Sequence, residues 1–176
     1  MKTTRAARSA EPASASAEPG PSATRGNRRA GQQPSLRARA LRLLARREHS
    51  RLELERKLGP HANAEGEVEA LLDDLQAAGW LSEERLADQL VRAAAGRYGG
   101  RKVLQQLRDK GVSAEVTAQA RLRVRVGELE SARALWRKRF GKLPGDLSER
   151  ARQARFLEQR GFDRDVIRQV LGGIEA

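Results

Sequence analysis

The chain has 176 residues and carries 35 Lys and Arg against 23 Asp and Glu, a formal net charge of +12 that points to a polyanionic partner. With no cysteine, disulfides, thiolate metal sites and cysteine nucleophiles are excluded together. Aromatic residues make up only 3%, which argues against the Phe and Tyr stacking platforms of single-strand binders.

Residues 1–34 are Ala, Ser, Pro, Gly and Arg with almost no large apolar side chain, which predicts a disordered basic tail carrying Arg25, Arg28 and Arg29. Its start lacks a hydrophobic signal region, and no apolar run approaches the roughly 20 residues that span a bilayer. A cytoplasmic protein without a membrane partner is expected.

From Leu36 the pattern turns helical. Leu36, Ala40, Leu43 and Leu44 share one face. Ser50 is a candidate N-cap, with Glu53 completing a capping box. GPHANAEG is a loop, and Val68, Leu71, Leu72 and Leu75 mark a helix ended by Gly79. Ser82 caps the next helix, Gly99 and Gly100 break it, Gly111 ends the following one, and Ser113 starts another. RLRVRV (121–126) alternates like a strand but has no partner strand, so it is assigned to helix.

Two patterns recur. Ala-x-x-Leu plus an apolar residue occurs at Ala40, Ala87 and Ala132, spaced by 47 and 45 residues. Leu107, Lys110, Gly111, Val112 and Val116 return at an offset of 50 as Leu157, Arg160, Gly161, Phe162 and Val166, with Ser113 matched by the helix-capping residue Asp163. A looser first copy has Leu54 and Lys57, with Leu58 in place of the glycine. The expected fold is therefore all-α: three tandem three-helix repeats forming an elongated molecule, with boundaries at 35–81, 82–126 and 127–176.

Sites for chemistry are not evident. His49 and His61 are not spaced as helical zinc ligands, there is neither a P-loop nor GxGxxG, and Asp73, Asp74, Glu83 and Glu84 fall at helix starts or on polar faces. A binding protein is expected, acting as a monomer without catalytic residues, metal or cofactor. Trp80, Trp136, Phe140 and Phe162 are assigned to the core.

The runs ALRLLARREHSRLELERKL, LLDDLQAAGWLSEERLADQLV, GGRKVLQQLRDKGV and ARFLEQRGFDRDVIRQVL, in this order over residues 36–173, resemble the RecX family of recombination regulators. The resemblance implies a curved, all-helical molecule of three tandem repeats. It also implies a partner, the RecA recombinase assembled on single-stranded DNA, whose ATP hydrolysis, strand exchange and co-protease activity such proteins inhibit in DNA repair and the SOS response. The family pattern is broken where Ser82 and Glu83 replace an acidic pair, Leu86 an aromatic and Ala94 an arginine.

An elongated basic molecule in a filament groove can neutralise DNA phosphate or acidic protein loops. The candidates for that surface are Arg46, Arg47, Arg97, Arg101, Lys102, Arg108, Lys110, Arg137, Lys138 and Arg139. The alternative is a direct DNA reader acting without a recombinase, with Gln105 and Gln106 aimed at base edges.

Overall fold

The computed structural model describes residues 34–172. Apart from Pro34, the expected tail lies outside the described residues, as do Arg25, Arg28, Arg29 and the last four positions. The described residues contain no strand and eight α-helices: α1 (Leu36–Leu44), α2 (Arg51–Leu58), α3 (Glu67–Ala77), α4 (Glu83–Ala94), α5 (Gly100–Asp109), α6 (Ala114–Arg139), α7 (Leu147–Gln159) and α8 (Arg164–Leu171). A single 3-10 turn, Gly59–His61, begins the long loop after α2.

The caps expected from sequence form. The Ser50 hydroxyl accepts from the Glu53 N–H while the Glu53 carboxylate accepts from the Ser50 N–H, a complete capping box. Ser82 and Ser113 cap α4 and α6 through their hydroxyls. Asp163 stands at the N-cap of α8 but makes no side-chain cap bond. At the helix ends, Gly111 and Gly161 adopt φ of +71° and +85°. The residue after each glycine then donates to the carbonyl of Leu107 or Leu157, closing the turn as a Schellman corner.

Three small cores result, one per repeat. The first gathers Leu36, Ala40, Leu54, Leu58, Leu72, Leu75 and Leu81. The second is built on Leu86, Ala87, Val103, Leu107 and Val116, and the third on Ala132, Trp136, Leu157, Phe162 and Ile167. Ala40, Ala87 and Ala132 are all fully buried, as are Leu54, Leu107 and Leu157, so each periodic position does the same packing job in each repeat. An alanine there lets two helices approach closely, and a larger side chain would overpack the contact.

Eight helices stand where three triplets would give nine, because the third helix of repeat 2 and the first helix of repeat 3 are one. The inward stripe of α6 is Val116, Ala120, Val124, Glu128, Ala132 and Trp136, spaced by four throughout. Four residues overshoot one helical turn by about 40°, so the stripe winds to the opposite side of the helix along its length. One end thus packs on α4 and α5 and the other on α7 and α8. Where the sides exchange, Leu122 and Val126 are 67% and 91% exposed, which is why residues 121–126 lack a helical apolar pattern.

Glu128 is buried at this crossover and accepts from the Gly100 N–H at 2.7 Å. Burial pushes its carboxyl up, a shift partly offset by that bond and by the backbone N–H of Asp163. Next to it, Gly127 lies within α6, and a Cβ there would meet nothing within 4 Å. Gly127→Ala is therefore expected to raise stability by about 1 kcal/mol, read as a higher urea midpoint at unchanged slope.

One core assignment is overturned. Trp80 follows the Gly79 corner and is 56% exposed, because that corner turns its ring outward while Leu81 enters the core in its place.

Candidate functional site

The glycine pair before α5 is not a phosphate cradle. Gly99 and Gly100 are buried in the seam between repeats 2 and 3. There the Gly99 N–H donates to the Arg160 carbonyl at 2.9 Å and the Arg101 N–H to the Gly161 carbonyl at 3.0 Å. The N-terminus of α5 thus spends its donors on the Gly161 corner and on Glu128, leaving none for an anion.

The same contact exists one repeat earlier, made with side chains. The Gly111 corner packs on Leu52 at the start of α2, and Lys110 reaches the Glu53 carboxylate at 2.5 Å. Arg47 holds Glu53 from the other side at 3.1 Å. Burial pushes the Glu53 carboxyl up, but bonds from Arg47, Lys110 and the Ser50 N–H outweigh it and hold it at about 2. Arg85 pairs with Glu48 at 2.8 Å and the Gln89 side chain accepts from the Glu48 N–H, so RREHS is the hub of the first seam. His49 within it is buried, which lowers its pKa, and its Nδ1 donates to the Arg47 carbonyl.

The ten basic candidates therefore divide. Lys110 is half-buried on Glu53, and Arg47 is bound to Glu53 and to the Glu48 carbonyl. Both hold the fold together. Arg101 lies 3.9 Å from Glu158, Arg108 donates to Gln105, and Lys102 lies over the Tyr98 ring with Nζ 4.2 Å from its centre. Arg46, Arg97, Arg137, Lys138 and Arg139 are exposed and pair with no carboxylate among the described residues. Ala94, where the family pattern has an arginine, is buried in the second core and leaves no gap in this surface.

Of the two glutamines that a base reader would use, Gln105 is engaged within its own helix. The Gln105 amide donates to Asp109 at 2.7 Å and accepts from Arg108 at 2.8 Å, while Gln106 is half-buried.

A cleft of about 560 Å³ opens at the junction of α6 and α7, lined by Arg139, Phe140, Arg152, Arg155, Phe156 and Gln159. Phe140 and Phe156 meet edge to face at 5.3 Å and 89°, half-buried on the third core. Of these residues only Arg139 and Phe140 stand out in the sequence, the second as a core residue. The signal for Arg152, Arg155 and Phe156 is the single run RQARF, in which Arg155 and Phe156 follow Arg152 by three and four residues and so share its helix face; Gln159 lies beyond that run. Among the described residues no cluster of His, Asp or Glu is placed to hold a metal, and no helix is long and apolar enough to cross a membrane.

Models of the first, second and third three-helix domains of RecX match residues 37–75, 82–120 and 127–171. The Regulatory protein RecX of Leptothrix cholodnii is 54% identical over 139 residues, 79% of this chain and 88% of that protein. The chain belongs to the RecX family. The Regulatory protein RecX of Ralstonia pickettii is 46% identical over 80% of this chain and 89% of its own length. A crystal structure of RecX from Lactobacillus salivarius superposes with a TM-score of 0.68 at 19% identity, covering 78% of this chain and 92% of that one. A second RecX crystal structure gives a TM-score of 0.68 at 21% identity, covering 78% and 72%. These two likenesses concern the fold alone. RecX proteins are a regulatory family, and the chain is a regulatory protein of three RecX helical domains.

Proposed function

We propose that the chain regulates the RecA recombinase by binding its filament on single-stranded DNA and inhibiting ATP hydrolysis, strand exchange and co-protease activity, as a monomer without a cofactor. The observation that carries this reading is the match of all three repeats, in order, to the domains of RecX. The +12 charge and the unpaired cations of α6 supply the physical means, since they can neutralise phosphate or acidic protein loops along an extended nucleoprotein surface. The reader of duplex base edges is disfavoured because the Gln105 amide is already satisfied.

Addition of sub-stoichiometric protein is expected to slow ATP hydrolysis by the cognate recombinase on single-stranded DNA. Charge reversal of Arg137 and Lys138 to glutamate should raise the concentration needed by about tenfold. Unchanged hydrolysis at concentrations where the protein is bound to the filament would overturn the reading.

A further inference from the structure

Only proline is a poorer helix former than glycine, yet Gly127 stands in the middle of the 26-residue helix α6. Nothing in the packing asks for it. Its backbone is helical, and a Cβ placed there would meet no atom within 4 Å. That open space is the mouth of a pocket of about 110 Å³ between α6 and the end of α4. The facing residues, Ala94 and Ala95, are small as well, so both rims are cut back. Val91, Val103 and Val124 line the pocket, and its inner end holds the buried carboxylate of Glu128.

Glu128 has acceptor capacity left over. A carboxylate can accept about four hydrogen bonds, and this one takes them from the Gly100 and Asp163 N–H groups alone. Among the described residues no Lys or Arg forms an ion pair with it, and Arg123, the one cation lining the pocket, pairs instead with Asp88 at 3.0 Å. Ser131 and Tyr98 also line the pocket, and among the described residues their hydroxyls have no hydrogen-bond partner. A carboxylate and two hydroxyls among valines form an acceptor set suited to a donor that carries positive charge.

Folding has already taken Glu128 out of water, so an entering cation meets chiefly its own desolvation. A guanidinium is more weakly hydrated than an ammonium and sheds its water more readily. Pockets for small molecules run to about 300 Å³ or more, and this one has room only for the end of a side chain. A free cation of that size would have few contacts to hold it against the +12 charge of the chain. A side chain is held in place by the rest of its own protein's surface.

We infer that the pocket between α4 and α6 is a socket for an arginine side chain of a partner protein, its guanidinium on Glu128 and its methylenes between Val91 and Val124. The inference rests on the filament reading only for the identity of that partner. It also gives Gly127 a use, since a side chain there would favour the helix and close the socket.

The test begins without the recombinase. Propylguanidinium is titrated into the full chain and followed by backbone amide NMR shifts, with propylurea as its uncharged isostere. Shifts centred on Gly100, Gly127 and Ser131 are expected to saturate in about the millimolar range, with propylurea about tenfold weaker. Glu128→Gln, which keeps an acceptor for the Gly100 N–H, should remove that preference. Gly127→Leu should abolish binding while leaving the urea midpoint at or above the wild-type value. Equal responses to the two probes, an undiminished preference in Glu128→Gln, or an unchanged response in Gly127→Leu overturns the inference. On the filament, Gly127→Leu should raise the concentration that slows ATP hydrolysis by about tenfold. Wild-type potency in that variant would assign the socket to a free cation and overturns the partner's arginine. A wild-type chain that leaves hydrolysis unchanged would remove the filament reading, and the propylguanidinium titration would still decide the socket.

Discussion

Gly99→Ala is expected to destabilise the third repeat by about 3 to 5 kcal/mol. A Cβ at Gly99 would lie 2.4 Å from the Gly161 carbonyl oxygen and from the Phe162 N and Cα, all of them backbone atoms. No side chain can rotate to make room, so the seam must open and its two backbone hydrogen bonds lengthen or break. Gly99 has φ −84° and ψ 172°, which any residue adopts, so the loss reports the close approach alone. Trp80 and Trp136 lie in the first and third repeats and give each its own fluorescence signal once the other is replaced by phenylalanine. The Trp136 transition should move to lower urea in the variant while the Trp80 transition moves less. Coincident, unshifted transitions would show that the backbone contact does not hold the seam.

The second large effect belongs to Glu53, at the equivalent place in the other seam. Its side chain is 21% exposed and carries the Lys110 and Arg47 charges together with the Ser50 N–H. Removing it strands Lys110 half-buried and takes away one half of the capping box, so Glu53→Ala is expected to cost about 3 kcal/mol. The sign of the pH dependence follows from its depressed pKa. The unfolded chain protonates this carboxyl near its ordinary value of 4.5, whereas the folded chain holds it at about 2. Between those values the unfolded state binds the extra proton, so stability is full above about 4.5 and is lost as the pH falls toward 2. The difference corresponds to about 3 kcal/mol. Urea midpoints measured from pH 5 down to pH 2 should fall less steeply in Glu53→Gln than in the wild type. Parallel curves would remove Glu53 from the seam.

Much of this was legible in the sequence, and what was not has a physical reason. The buried alanines, the capping box at Ser50 and the corners at Gly111 and Gly161 are local devices that leave local marks, and their repetition announces the architecture. The Gly99 contact leaves no such mark, because its need arises from the approach of Gly161 in the next repeat. The strand-like alternation of RLRVRV comes from a helix exchanging its buried side, which periodicity over six residues cannot distinguish from a strand. Among the basic candidates, charge identified the residue type but could not tell Lys110, bound to Glu53, from Lys138, bound to nothing among the described residues. Composition likewise counts aromatic residues without revealing that Phe140 and Phe156 meet.

The unbroken helix α6 has one consequence for how this chain can vary. The stretch between the second and third matched domains, residues 121–126, occupies the place of a linker, yet it is helix throughout. A loop absorbs an added residue as slack. In a helix each added residue advances the axis by about 1.5 Å and turns everything beyond it by about 100°. One insertion there would swing Trp136 and Ala132 away from the third core and would pull Glu128 out of phase with Gly100. The spacer behaves as a screw thread, in which only additions close to whole turns restore the alignment of what lies on either side.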